Sequence, residues 1–152
     1  TKARLAHEQA TAAQIVLEDA EDAQHAGDAQ TPYGFELVLD LHDCDPATFN
    51  RRSLDRFFTD LCTHIDMQRC EVHFWDDEGV PPEEQQTEPH TKGTSAVCFI
   101  LTSTIVVHTL DLLNAAYVNV FSCKAFDPEA AKRFTVDWFK AGSSQSCFLT
   151  RT

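Results

Sequence analysis

Apolar and polar residues alternate along residues 33–41, and this alternation predicts a half-buried β-strand. From residue 53 to residue 65 the apolar residues recur at helical spacing and give one apolar face. A second strand is predicted over residues 70–75. The first strand and the helix therefore each offer one apolar face to a core. The apolar residues of the first strand and of the helix are Phe35, Leu37, Leu39 and Leu41, then Leu54, Phe57, Phe58, Leu61, Cys62 and Ile65.

The second half of the chain predicts three strands, a helix and a last strand. Runs rich in Val, Ile, Phe and Thr predict strands over residues 94–101, 104–110 and 117–122. Asp127 and Pro128 are typical of a helix start, and Gly142 predicts the C-terminal cap of that helix. A short strand is predicted over residues 146–149. The order predicts an α+β fold, a two-layer sandwich in which a mainly antiparallel sheet carries helices on one face.

Two segments differ from this pattern. Residues 1–31 are rich in Ala, Gln, Asp and Glu, and predict an N-terminal extension that is partly helical or disordered, ahead of a domain at residues 32–152. Residues 76–92 form a long polar loop with three prolines, a length that indicates a functional or mobile segment.

Charge and cysteine content narrow the possible partners. Twelve basic against twenty-four acidic residues give a net charge of −12 without a basic stripe, so we expect neither nucleic acid nor an anionic membrane as partner. The six cysteines form no CxxC pair, and no signal peptide or long apolar span precedes them, which predicts reduced thiols in the cytoplasm. Cysteines and histidines show no zinc-ligand spacing, so no metal is expected.

Residues 102–104 place three hydroxyl side chains between two apolar runs, with no turn residue to explain them. His108 follows on the second run, and Cys123 ends the third. Taken singly, such a serine is usually a tolerated polar group, such a histidine a structural one and such a cysteine a small buried apolar residue. Only the three together, in the register of a known family, would indicate chemistry.

Four sequence motifs resemble the small bacterial and archaeal pyruvoyl-dependent S-adenosylmethionine decarboxylases. STIVVHT at residues 103–109 resembles the family's cleavage-site motif SHIxIHT. VNVFSC at residues 118–123 resembles a family strand that ends in Phe-(Ser/Thr)-Cys. Ser95 precedes Ser103 by the family's interval for its processing serine, and residues 39–45 resemble its first strand. The chain is thus similar to this family over most of its length beyond residue 33.

The resemblance implies a self-made cofactor. The Ser103 hydroxyl would attack the carbonyl of Thr102, and elimination would split the chain into residues 1–102 and 103–152, with a pyruvoyl group derived from Ser103. Ser95 and His108 would assist this processing as hydroxyl donor and base. Cys123 would return a proton to the substrate after carbon dioxide leaves. The small bacterial members are homodimers with residues of both subunits at each site, so a homodimer is expected here.

Two segments depart from the family pattern. Thr102 and Thr104 replace the usual glutamate and histidine around the serine, and residues 110–112 read Leu-Asp-Leu where bacterial members have Trp-Pro-Glu. Asp111 is a candidate for the missing acid that binds the ribose, and Phe74 or Trp75 for the missing aromatic ring. One of these two rings should face away from the core. His73, His90 and Glu36 are further candidates for lining the pocket.

The sequence therefore predicts a small-molecule enzyme. S-adenosylmethionine decarboxylation in polyamine synthesis is the first hypothesis, and ornithine or arginine decarboxylation on the same scaffold is the second. Thr102 and Thr104 also leave open a homologue that does not cleave itself and has a binding or regulatory role.

Overall fold

The computed structural model describes residues 31–152, so the predicted N-terminal extension lies outside the described residues except for Thr31. Two helices and six strands, with short 3-10 turns at Pro46–Thr48 and Pro82–Glu84, make up this range. The first half contains β1 (Gly34–His42), α1 (Arg51–His64) and β2 (Arg69–Trp75). The second half contains β3 (Gly93–Ile100), β4 (Ser103–Leu110), β5 (Ala115–Ser122), α2 (Pro128–Phe139) and β6 (Ser143–Arg151).

The strands form one sheet in the order β2-β3-β4-β5-β1-β6, and all neighbours are antiparallel. Every second residue of the central strands is buried in the same core as the inner faces of α1 and α2. This confirms the predicted α+β sandwich. Apart from Phe35, which is partly buried and stacks on Phe148, the apolar residues predicted for the first strand and the first helix line that core.

Both helices begin at the kind of residue that a helix start requires. Asn50 Oδ1 accepts a hydrogen bond from the Ser53 backbone N–H at 2.9 Å, and Asp127 Oδ1 accepts from the backbone N–H groups of Glu129 and Ala130 at 2.9 and 3.0 Å. These bonds satisfy backbone donors that have no partner inside a helix.

The predicted cap at Gly142 is wrong. Lys140, with a φ of 50°, ends α2, and its backbone N–H and that of Ala141 bond back to the last turn. Gly142 instead donates its N–H to the carbonyl of His42 at 3.0 Å. A Cβ at this position would lie 2.9 Å from Cβ of Asp43, so the glycine allows close approach to the end of β1.

The other side of the sheet, which we call the open face, has no helix against it within residues 31–152. Trp75 lies on the open face with 62% of its surface exposed, whereas Phe74 points to the core side beneath the Arg51 guanidinium. This confirms that one of the two rings faces away from the core. The central residues of the open face are Glu36, Val38, Ser95, Val97, Phe99, Thr104, Val106, His108, Tyr117, Asn119 and Phe121.

Within the described residues, neither helix is long and apolar enough to cross a membrane.

Candidate active site

The hairpin turn between β3 and β4 contains the predicted cleavage bond. Ile100 pairs with Ser103 across the hairpin, which leaves Leu101 and Thr102 as the two loop residues. Ser103 is the first residue of β4, one residue earlier than the strand pattern predicts, and only 6% of its surface is exposed. Its Oγ accepts a hydrogen bond of 3.0 Å from the backbone N–H of Cys123. The serine hydroxyl is therefore held in place next to the bond before it.

Cys123 contacts the residues on both sides of that bond. While its N–H binds Ser103, its Sγ lies 3.1 Å from Oγ1 of Thr102. The hydroxyls of Thr102 and then of Ser103 stabilise the thiolate and lower the pKa of Cys123 below that of an ordinary thiol. The structure thus brings together three of the predicted residues.

Two cavities border this hairpin. One of about 450 Å³ is lined by Leu101, Ser103, Cys123 and by Lys124, whose ammonium binds the Asp66 carboxylate at 2.5 Å. The other, of about 430 Å³, opens on the side of the open face and has an apolar wall of Phe99, Leu101 and Phe121 with Cys70 and Thr104. Sequence reasoning did not select Lys124 or Phe99 as site residues. Strand alternation, which puts Phe99 on the same face as Ser95, was a usable signal for Phe99.

Ser95 and His108 form a second cluster. They are directly opposite each other on β3 and β4, and Ser95 Oγ lies 2.8 Å from His108 Nδ1. A third cavity, of about 420 Å³, surrounds this pair, and Trp75, His90 and Tyr117 are among its lining residues. The structure therefore joins the predicted processing pair to two of the predicted pocket residues.

The two clusters are far apart within one chain. Ser103 and His108 are five residues apart on β4, which corresponds to about 17 Å along an extended strand. Ser103 faces the core, whereas His108 faces the open face. Within a single copy, His108 therefore does not reach the Thr102–Ser103 bond.

Asp111 lies outside the cavity that surrounds the Ser95–His108 pair. It lines a separate cleft near Lys92 and Asp77, and its backbone N–H bonds the carbonyl of Lys92 at 2.9 Å. Burial raises the pKa of Asp111, and Lys92 opposes this effect. Its carboxylate is thus directed to the loop that precedes β3.

Glu36 and His73 lie on the open face. The Glu36 carboxylate accepts a hydrogen bond from Asn119 Nδ2 at 2.8 Å and forms an ion pair with Arg151. Glu36 lies opposite Phe121 on the neighbouring strand β5. His73 is exposed, with Nε2 3.4 Å from the Glu71 carboxylate. Glu36 is therefore near the hairpin residues Thr102, Ser103 and Cys123 and away from the Ser95–His108 pair.

No group of three or more His, Cys, Asp or Glu residues within 31–152 is arranged to hold a metal ion.

Fold and site together define a two-layer α+β protein in which the hydroxyls of Thr102 and Ser103 and the thiol of Cys123 lie at one hairpin turn. The sequence pattern of the family described as S-adenosylmethionine decarboxylase matches residues 35–152, and the chain belongs to this family. The match takes in Ser95, Ser103, His108 and Cys123, and it confirms the resemblance found in the motifs.

The fold agrees with a solved structure of the same family. The crystal structure of the adenosylmethionine decarboxylase from Aquifex aeolicus VF5 superposes with a TM-score of 0.62. The alignment has 16% sequence identity and covers 80% of this chain and 92% of that chain. No curated protein matches this chain.

Proposed function

We propose that this chain cleaves itself between Thr102 and Ser103, and that the mature protein decarboxylates S-adenosylmethionine for polyamine (spermidine) synthesis. The observation that carries the proposal is the position of Ser103 in a chain of this family. Its hydroxyl is buried, held by Cys123 and next to the carbonyl that it would attack.

The residues around Ser103 fit a pyruvoyl group. Ser103 borders the 450 Å³ cavity, so a small group at the start of β4 can meet a substrate there. A pyruvoyl group supplies a carbonyl that takes up the electrons released with carbon dioxide. Cys123 stands beside this point, and its lowered pKa suits a thiol that both gives and regains a proton.

A homodimer would complete the site. Consider two chains packed through their open faces, with a two-fold axis that lies between the sheets and runs across the strands. The Ser95–His108 end of one chain then covers the hairpin end of the other. The 17 Å gap within one chain, estimated from the rise of an extended strand, supports this arrangement. So does the apolar centre of the open face, where Val38, Val97 and Val106 lie only partly buried.

Trp75 and Asp111 bear on the choice of substrate. The exposed Trp75 ring borders the Ser95–His108 cavity and could stack on an adenine, which favours S-adenosylmethionine. Asp111 is not in that cavity and therefore does not support a carboxylate that would bind the ribose hydroxyls there. This second observation favours the alternative, a smaller basic amino acid such as ornithine or arginine. All six cysteines are free, which supports the cytoplasm as the place of action.

Release of carbon dioxide from carboxyl-labelled substrates tests the proposed function. We expect release from S-adenosylmethionine, none from ornithine or arginine, and none by Ser103→Ala. Ser144→Ala, the same change on the helix side of β6 opposite Leu41, is the matched control and should retain full activity. Release from ornithine or arginine alone would reassign the substrate. Equal release by Ser103→Ala would contradict a pyruvoyl enzyme, and no release by a chain that stays whole would favour a binding role.

A further inference from the structure

Thr102 has an unusual backbone conformation directly before the bond that we propose is cleaved. Its φ is 58°, in the left-handed region where a β-branched side chain is a genuine outlier. A turn residue with such a φ is usually glycine or asparagine. Within residues 31–152 the other non-glycine residues with positive φ are not β-branched: Asp43, Asp66, Asn114 and Lys140.

Neighbouring groups hold Thr102 in this conformation. The pair Ile100 and Ser103 closes the hairpin and leaves two residues to complete the turn. The Thr102 hydroxyl oxygen lies 2.7 Å from the carbonyl oxygen of Leu101 and 3.1 Å from Sγ of Cys123, and its single proton can be donated to either. Strained residues persist where the surrounding structure determines their conformation, and they gather at functional sites.

We propose, on the basis of the self-cleavage proposed above, that Thr102 is a positioning residue whose strained backbone favours the first step of cleavage. In this step the bond from Ser103 Oγ to the carbonyl carbon of Thr102 forms and the amide C–N bond breaks. The hydroxyl proton moves to the released nitrogen. The planar amide no longer closes the turn, so Thr102 can return to a negative φ. Strain that is present in the amide and absent from the ester lowers the barrier between them.

Thr102→Gly tests this proposal because glycine adopts positive φ without strain. We expect self-cleavage to be roughly tenfold slower, and less ester to be trapped by hydroxylamine at early times. In a Ser103→Ala background, which cannot cleave, the same substitution should raise the melting temperature by about 2–4 °C. A merely structural residue would not give a more stable precursor that also reacts more slowly.

Two control variants separate strain from other effects. Thr102→Val keeps the β-branch and loses the hydroxyl contacts, so it should cleave measurably faster than Thr102→Gly. Lys140→Gly relieves a positive φ far from the bond, at the end of α2, and should leave cleavage unchanged. The proposal is overturned if Thr102→Val is as slow as Thr102→Gly, if Thr102→Gly cleaves like wild type, or if it does not stabilise the precursor. A chain that stays whole whatever residue stands at position 102 overturns the proposed self-cleavage itself, and this inference with it.

Discussion

Cys123 is the residue on which most contacts of the hairpin site converge. Its backbone N–H binds Ser103 Oγ, and its sulfur contacts Thr102 Oγ1. A substitution on either side of the Thr102–Ser103 bond therefore alters a contact of Cys123. The family motifs in the sequence selected Ser103, His108 and Cys123 as candidate site residues. They could not show the backbone angle of Thr102 or the direction of the Asp111 side chain, because both are set by the neighbouring strands and loops.

The lowered pKa of Cys123 predicts its reactivity in the uncleaved chain. A lower pKa means more thiolate at a given pH, and the thiolate is the form that reacts. We expect iodoacetamide to label Cys123 of the Ser103→Ala chain, which stays whole, at lower pH than it labels N-acetylcysteine, with the label located by peptide mass spectrometry. Thr102→Val removes the first cause of the shift and should move the labelling midpoint to higher pH. Identical labelling midpoints for both proteins and for N-acetylcysteine would contradict the contact between Thr102 and the Cys123 sulfur.

The β3–β4 hairpin is the element that places both clusters. Its pairing puts Ser95 opposite His108 at one end and closes the turn before Ser103 at the other. Alternation of apolar residues was enough to predict these strands to within one or two residues of their ends. The cap of α2 was not predictable in this way. A lysine takes the left-handed position there, its backbone N–H bonds the last turn, and its ammonium binds Asp45 at 2.7 Å.

Gly93→Ala tests how closely β3 and β4 must approach. A Cβ at Gly93 would lie 1.7 Å from the carbonyl oxygen of Thr109, so the two strands must separate near the Ser95–His108 pair. We expect a loss of about 1–3 kcal/mol or more in unfolding free energy, measured by urea denaturation. Gly79→Asn, in an exposed loop with open space around the glycine, is the control and should change stability little. A fully stable Gly93→Ala protein would contradict the strand pairing described here.

At the scale of the whole molecule, the site is divided between two ends of one sheet. The spacing of Ser95, Ser103 and His108 along the sequence is that of the family, yet it does not tell which copy of the chain supplies each group. The distance along β4 supports the homodimer proposed above, in which the partner copy would supply Ser95 and His108 to each hairpin.

Co-expression of two inactive chains tests this division. We expect Ser103→Ala and His108→Ala chains to stay whole when each is expressed alone. When they are expressed together with different tags, the His108→Ala chain should be cleaved, because the Ser103→Ala chain supplies the histidine. Ser95→Ala with His108→Ala is the control. In that pair each chain lacks one member of the Ser95–His108 cluster, so no complete cluster is present and no cleavage is expected. A doubly tagged complex of the first pair without cleavage would place the whole site within one chain.

The most direct test of self-processing is the intact mass of freshly purified protein under denaturing conditions. We expect two fragments that divide between Thr102 and Ser103, the smaller one lighter by one ammonia than the same fragment beginning with serine. A single chain of unchanged mass, stable over days, would contradict the formation of a pyruvoyl group at Ser103.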